Sequence, residues 1–277
     1  MTMLLCFDGI IYKQLAETAP EEVICLPMDR KDLKDIIAKM KYSTEYEKEH
    51  IIFVVGDLKR IKPLFDIVNP SFYFGHFNKV TMLFPDGAKP QWKKPIEQLS
   101  RLADKAVKMD SFNEYGCYLP IKKDYWYNDE AKNVDVGFYG TTDIYPERKN
   151  TLAYLKKSGI DVKHSFVPDM MAALRRTKIT INFGNCLSGK TSLRKFHIKG
   201  RVWEAAMAKC VVIEPRNTET AKIFADDEIV WYDDMEELPG LIDALLRDDV
   251  WRYSISEKAF LTAKQYTNPD IYWGKLL

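Results

Sequence analysis

The chain has 277 residues, room for one large domain or two modest ones, and its 46% hydrophobic, 29% charged and 13% aromatic content is that of a globular protein. The net charge of +1 argues against a uniformly basic nucleic-acid binder, and no apolar run approaches the ~20 residues needed to span a bilayer. Five scattered cysteines (Cys6, Cys25, Cys117, Cys186, Cys210) with no Cys-x-x-Cys pair, and four histidines far apart in sequence, argue against a disulfide framework or a structural metal and for reduced thiols in a cytoplasmic setting.

The first segment, MTMLLCFDGIIYK, lacks a basic region ahead of its apolar run, and Asp8 interrupts it. It is read as a first strand, residues 4–7, and not as a signal peptide. Further strands are predicted at 23–26, 51–55, 72–74, 80–84 and 106–109, with helices between them at 12–17, 32–41, 57–67 and 91–103. Leu33, Ile36, Ile37 and Met40 show the i, i+3, i+4, i+7 spacing of one helical face. Alternating strands and helices imply a parallel sheet covered on both faces.

The polar stretch YNDEAK, residues 127–132, separates two apolar runs and is taken as the domain boundary. The pattern then repeats, with strands at 134–139, 162–166, 179–183, 210–213 and 229–232 and helices at 147–157, 170–176, 198–208 and 235–246. Domains are therefore expected over 1–130 and 131–250. A tail of one or two helices, 251–277, breaks at Asn268-Pro269.

The segment from Lys199 to Ile242 carries the most chemistry. Ala205, Ala206 and Ala208 keep its first helix slim enough to lie close to a sheet. Residues 210–213 are apolar on both faces, as a buried parallel strand requires. Arg201 and Glu204 sit three apart on one face of that helix, which suits a ligand with both phosphates and hydroxyls. Charge is also uneven along the chain. No acid lies between Asp169 and Glu204, a span with eight bases (Arg175, Arg176, Lys178, Lys190, Arg194, Lys195, Lys199, Arg201). Such a run could hold a nucleotide diphosphate or a nucleic-acid backbone, or form solvated faces.

The Arg/Glu helix followed by a strand and loop, together with VDVGFYGTTDIYPERKNTLAYL (134–155) and KAVKMDSFNEYGCYLPIKKDYW (105–126), resembles GT-B glycosyltransferases. The likeness is to family 1/4 and CgeB-type enzymes and covers roughly residues 105–245. It implies an α/β fold of two doubly wound, Rossmann-like parallel-sheet domains with a cleft between them. The N-terminal domain would bind the acceptor and the C-terminal domain a nucleotide-diphosphate sugar, a UDP-sugar first of all. The tail helices would pack back on the N-terminal domain, a role suited to Tyr266, Tyr272 and Trp273. No tightly bound cofactor or metal is implied.

By the same resemblance, Glu204 accepts hydrogen bonds from the donor ribose hydroxyls, since one carboxylate can take both. Lys199 and Arg201 would neutralise the diphosphate. The loop Gly140-Thr141-Thr142 could bring backbone N–H groups to a phosphate, and Arg148 matches a frequent family arginine. Thr218 and Glu219 would face the donor from the loop after the fourth strand, although Thr218 also reads as a helix cap. Where many retaining relatives carry a second Glu eight residues before the first, this chain has Phe196, so neither donor-sugar recognition nor stereochemical outcome carries over.

An inverting enzyme needs an acceptor base. Asp86, Asp8 and His76 are the candidates, the two aspartates because each follows the end of a predicted strand. A competing motif is GNCLSGKT, residues 184–191, which fits the Walker A pattern with Lys190 and Thr191 as phosphate and magnesium ligands. Few strands follow it, and Lys190 equally suits a contact to donor phosphate. The acceptor is open: a metabolite, a polysaccharide, a protein, or a hydroxymethylated base in phage DNA. Lys93, Lys94, Arg101, Lys105 and Lys108 extend the basic surface that DNA would need. The rival classes are a P-loop phosphotransferase and a non-catalytic two-domain binding protein.

Overall fold

The computed structural model describes residues 2–6, 9–27, 50–55, 78–85, 93–116, 118–143, 145–165, 167–186, 195–217 and 219–277. The chain divides into two compact units, Met1–Lys122 with Asn268–Leu277, and Lys123–Thr267. The division precedes the polar stretch at 127–132, and only the last ten residues go with the first unit. The predicted strand at 72–74 and helices at 32–41 and 57–67 lie outside the described residues.

In the first unit, β1 (Thr2–Cys6), β2 (Val23–Pro27), β3 (His50–Val54), β4 (Lys79–Phe84) and β5 (Lys105–Lys108) form one sheet in the order β2-β1-β3-β4-β5. Every pairing is parallel. β4 is buried along nearly its whole length, which is why KVTMLF reads as an almost continuous apolar run. Helices α1 (Gly9–Ala16) and α2 (Lys93–Ser100) belong to this unit. Leu4, Ile52, Val54, Leu83 and Val107 form its core with Leu15 of α1.

The rest of the second unit comprises β6 (Val134–Phe138), α3 (Pro146–Lys157), β7 (Lys163–His164), α4 (Met170–Arg175), β8 (Thr177–Ile181), β9 (Asn185–Cys186), β10 (Lys195–Phe196), α5 (Gly200–Met207), β11 (Val211–Pro215), β12 (Val230–Tyr232), α6 (Leu238–Arg247) and α7 (Asp249–Thr267). Its main sheet runs β12-β11-β8-β6-β7, again wholly parallel. Counted from each unit's own first strand, both sheets have the order 2-1-3-4-5. The winding therefore reverses beside β1 in one unit and beside β6 in the other. In open α/β sheets the carboxyl ends of the strands at such a reversal are where ligands bind.

One face of the second sheet packs Ile179, Ile181, Val211 and Ile213 against Leu155, Leu238, Ile242 and Leu245. The slim helix α5 buries Ala205 and Ala206, and its Trp203 packs on Phe224 and Tyr266. A buried lysine ties this region together. Lys132 Nζ donates to the carbonyls of Arg175 (3.1 Å), Thr177 (2.9 Å) and Ala208 (3.0 Å), joining the ends of α4 and α5 to the start of β8.

The tail departs from expectation. α7 belongs to the second unit, because a narrow stripe of Ile255, Ala259 and Ala263 lets it lie close to its neighbours. The break at Asn268-Pro269 separates it from α8 (Pro269–Leu276), whose Tyr272, Trp273 and Leu276 enter the first unit's core. The three tail aromatics therefore divide, Tyr266 to one unit and the other two to the other. The carbonyl end of α8 is held by cations, as a helix C-terminus favours: Lys105 Nζ bonds Lys275 O at 2.6 Å and Lys79 Nζ bonds Leu277 O at 3.0 Å.

The Walker-like segment also reads differently in the structure. Lys195 pairs with Cys186 and Phe196 with Asn185 in an antiparallel ladder, and the next helix among the described residues begins at Gly200. A phosphate-binding P-loop runs straight from its Lys-Thr into a helix; here the chain is back in a strand by Lys195.

His50 is buried and its Nε2 lies 2.8 Å from Thr81 Oγ1. Burial first, then the charges of Lys79 and Lys105, push its pKa from 6.5 down to about 4. A base depressed in the folded state contributes stability that is complete above pH 6.5 and is lost as pH falls towards 4. Denaturant titrations across that window should show stability falling more steeply in the native protein than in His50→Gln. Parallel profiles would show that His50 does not titrate this way.

Candidate functional site

The site is built at the winding reversal of the second sheet. β6 ends at Phe138, and residues 139–142 turn over its carboxyl end into α3. All four carbonyls of this turn are engaged. Tyr139 O accepts from Arg201 Nη2 at 2.5 Å, Gly140 O from His164 Nε2 at 2.9 Å, Thr141 O from Arg148 Nη1 at 2.9 Å and Thr142 O from Tyr145 N at 2.9 Å. Among the described residues, nothing accepts from the N–H groups of Gly140, Thr141 or Thr142. A turn whose carbonyls face inward to cations and whose amides stay uncommitted is a receptor for an anion.

Helix geometry explains why these arginines reach the turn. Helical side chains tilt towards the helix N-terminus, so residues in a first turn extend back over the preceding loop. Arg148 does so from α3, stacked 3.9 Å from the centroid of Tyr145. Arg201 does so from α5, 4.9 Å from the centroid of Phe138. Glu204 follows three residues later on the same helix face.

The electrostatics are those of a charge cluster withdrawn from water. Burial pushes the Arg201 guanidinium down to about 10; Glu204 opposes that shift and Arg148 adds to it. Arg201 therefore stays charged at neutral pH. Burial lowers Arg148 as well. Glu204 is raised by burial and lowered by Arg201. Its carboxylate has no hydrogen-bond partner among the described residues, and Arg201 Nε is buried without an acceptor. Two uncommitted polar groups of opposite sense thus lie on one helix face beside an anion-receptive turn.

Lys199 occupies the N-cap of α5 with extended backbone, φ −78° and ψ 144°. Glu219 lies past the end of β11, where its Oε1 meets Lys222 Nζ at 2.8 Å. Asn217 Oδ1 caps this turn, accepting from Glu219 N (3.1 Å) and Thr220 N (2.8 Å). Lys190, Thr218 and the acceptor-base candidates Asp8, Asp86 and His76 lie outside the described residues. No group of three or more metal-ligating side chains occurs among the described residues.

Some of the site is not signalled by sequence spacing. His164 holds Gly140 from a two-residue edge strand. Behind the turn, Asn182 and Glu214 lie side by side at the ends of β8 and β11, fully buried, with Asn182 Nδ2 donating to Glu214 Oε1 at 2.9 Å. Glu214 Oε2, Asn182 Oδ1 and Thr220 Oγ1 have no hydrogen-bond partner among the described residues. Burial pushes the Glu214 carboxyl up to about 7, against the opposing influence of Asn182, Thr220, Asn217 and Lys199.

The family and fold can now be stated. The fold is that of the GT-B glycosyltransferases. Similar solved structures include HepE of Anabaena in complex with UDP and glucose (TM-score 0.67, 12% identity, covering 99% of this chain and 98% of that one). AviGT4, a glycosyltransferase involved in avilamycin A biosynthesis, aligns with TM-score 0.61 and 10% identity, covering 100% and 96%. An α-glucosyltransferase in complex with UDP and a 13-mer DNA containing an HMU base aligns with TM-score 0.58 and 12% identity, covering 100% and 98%. No curated protein sequence matches the chain significantly. The model of the glycosyl transferase-like family matches residues 128–270, more than half of the chain, and the chain belongs to that family.

Two substitutions test this geometry without any ligand. A Cβ on Gly140 would stand 2.6 Å from Arg201 Nη2 and 3.3 Å from its Cζ, with Arg201 held between Phe138 and Tyr139 O. Gly140→Ala should therefore cost about 1–3 kcal/mol of stability, and most of that cost should vanish in an Arg201→Ala background. Additive costs in a double-mutant cycle would refute the clash. For Glu214, an acid whose folded pKa is raised from 4.5 to about 7 loses stability as pH rises through that interval. Glu214→Gln should gain on the native protein between pH 4.5 and 7 and keep a constant margin above; a pH-independent difference would show that Glu214 does not titrate there.

Proposed function

We propose that this glycosyltransferase takes its sugar from a UDP-sugar held in the second unit and passes it to an acceptor hydroxyl. The observation that carries the reading is the meeting of Arg148, Arg201 and Glu204 at the winding reversal, beneath a turn with uncommitted amides. The amides of 140–142 and the two guanidiniums suit a diphosphate, whose developing negative charge they would stabilise as the sugar leaves. The carboxylate of Glu204, without a hydrogen-bond partner among the described residues, suits the paired hydroxyls of a ribose. Lys199, at the N-cap of α5, and Glu219, past the end of β11, are proposed as further donor contacts, with Lys190 and Thr218. That HepE and the α-glucosyltransferase are each found with UDP supports uracil as the base. Asp8, Asp86 and His76 are proposed as the pool from which an acceptor base is drawn.

A hydroxymethylated DNA base is the second reading for the acceptor, favoured by the DNA-bound α-glucosyltransferase among the structural relatives. The basic run supports it less than its composition suggests. Arg175 and Arg176 both engage Glu130, Lys178 engages Asp135, and Arg201 is held under the turn. Half of the eight bases are thus committed within the second unit.

Calorimetric titration with UDP should show Glu204→Ala and Arg201→Ala losing affinity in folded protein, Arg201→Ala by about 1.5–3 kcal/mol for a charge-assisted bond. Unchanged affinity in both would remove this helix from the donor site. A panel of UDP-, GDP- and ADP-sugars, assayed for hydrolysis and for sugar mass added to hydroxymethylated duplex DNA, then separates the acceptors. DNA as acceptor also requires binding that weakens steeply with salt.

A further inference from the structure

A second cationic cavity lies at the opposite pole of the second unit, at the amino ends of its strands. Its volume is about 410 Å³, and Tyr127, Lys132, Lys178, Lys209, Arg252 and Tyr253 line most of it. Lys132 lies two residues ahead of β6, Lys178 is the second residue of β8, and Lys209 lies two residues ahead of β11. Three adjacent parallel strands thus each deliver a lysine to one spot, and α7 adds Arg252.

The cavity wall holds four cations and one carboxylate, Asp249. Asp249 pairs with Arg252. Lys178 meets Asp135 at 2.6 Å and Lys209 meets Glu257 at 2.5 Å, each through a single contact that leaves the ammonium further donors. Lys132 is satisfied by three carbonyls and has no carboxylate in ion-pair reach among the described residues. Burial lowers its pKa first, and the charges of Arg252 and Lys209 add to that while Cys210 and Glu130 oppose it. Four cations face one partly enclosed space, and Lys132 among them has no ion pair within the described residues; such a cluster creates a potential that an anion relieves. The aromatic wall adds a second requirement. The Tyr127 ring lies 5.2 Å from both Lys132 Nζ and Lys209 Nζ, and Tyr253 offers a ring 63% exposed beside them. An exposed aromatic face next to cations suits a ring that carries an anionic group.

We propose that this cavity binds a small phosphate-bearing ring compound, a sugar phosphate or a nucleoside monophosphate. Its phosphate would lie on Lys178, Lys209 and Arg252 and its ring against Tyr253. The site is distinct from the Arg148–Arg201–Glu204 cluster, which occupies the carboxyl ends of the same strands. Helix α5 connects the two: its first turn carries Arg201, and its last carbonyls meet Lys132.

The test uses the full chain titrated calorimetrically, at constant ionic strength, with inorganic phosphate, glucose 1-phosphate and UMP. Inorganic phosphate should bind in the native protein and in Arg201→Ala alike, and should lose at least tenfold in affinity in Lys178→Met, a change at a surface ion pair that leaves the fold intact by circular dichroism. Lys178→Arg should restore binding. One of the two ring compounds should bind more tightly than inorganic phosphate, and Tyr253→Ala should abolish that margin; which one does so identifies the ring. Absence of phosphate binding to the native protein, loss of it in Arg201→Ala, survival of it in Lys178→Met, or a ring compound that gains nothing over phosphate would each overturn the proposal.

Discussion

The guanidinium of Arg201 is the group around which the second unit is arranged. It is withdrawn from water, stays protonated, and has Arg148 as a like-charged neighbour. An arrangement of that kind is costly unless each N–H finds an acceptor or a counter-charge. The turn at 139–142 supplies part of the answer by directing Tyr139 O at Arg201, and Glu204 supplies the opposite charge. The glycine at 140 follows from the same constraint, because a side chain there would take the guanidinium's place. Among the described residues Arg201 Nε still lacks an acceptor and Glu204 a hydrogen-bond donor, so both stay open to a ligand.

This constraint works only because the sheet delivers its parts to one place. A parallel strand order of 2-1-3-4-5 opens a gap at the carboxyl end of the first strand, and the turn after β6 fills it. α3 and α5 then bring their N-terminal turns to that gap, where helical side chains reach backward. Three unremarkable features of sequence, a glycine after a strand, an arginine early in one helix and an arginine with a glutamate early in another, become one site through winding order alone. The first unit shows the same order, so the carboxyl end of β1, two residues short of Asp8, is its equivalent position.

Much of this was legible in the sequence because it depends on short-range pattern. Apolar runs of both-face character marked strands such as VVI before Glu214, and the alanines of α5 marked a helix pressed against a sheet. Pairings between distant residues were hidden. Nothing in the spacing links His164 to Gly140 or Asn182 to Glu214, since each bond exists only once the strands lie side by side. The hairpin of Asn185–Cys186 with Lys195–Phe196 was missed because two-residue strands carry no periodicity. The tail was misassigned for a related reason. Its aromatics read as one packing group, whereas Asn268-Pro269 turns the chain between two cores and divides them.

The buried pair Asn182–Glu214 shows how the site is supported from behind. Glu214 stands on the strand that continues into the Asn217 turn, and Asn182 on the strand that leads towards the β9–β10 hairpin. Both segments border the gap at the end of β6. A hydrophobic pair at these positions would pack at lower desolvation cost, yet it would give neither strand end a directional contact. The orphaned Glu214 Oε2, Asn182 Oδ1 and Thr220 Oγ1 are grouped at that same point. Buried polar atoms of this kind are ordinarily satisfied by enclosed water. The bond between Asn182 and Glu214 fixes the heading of the two strand ends relative to each other.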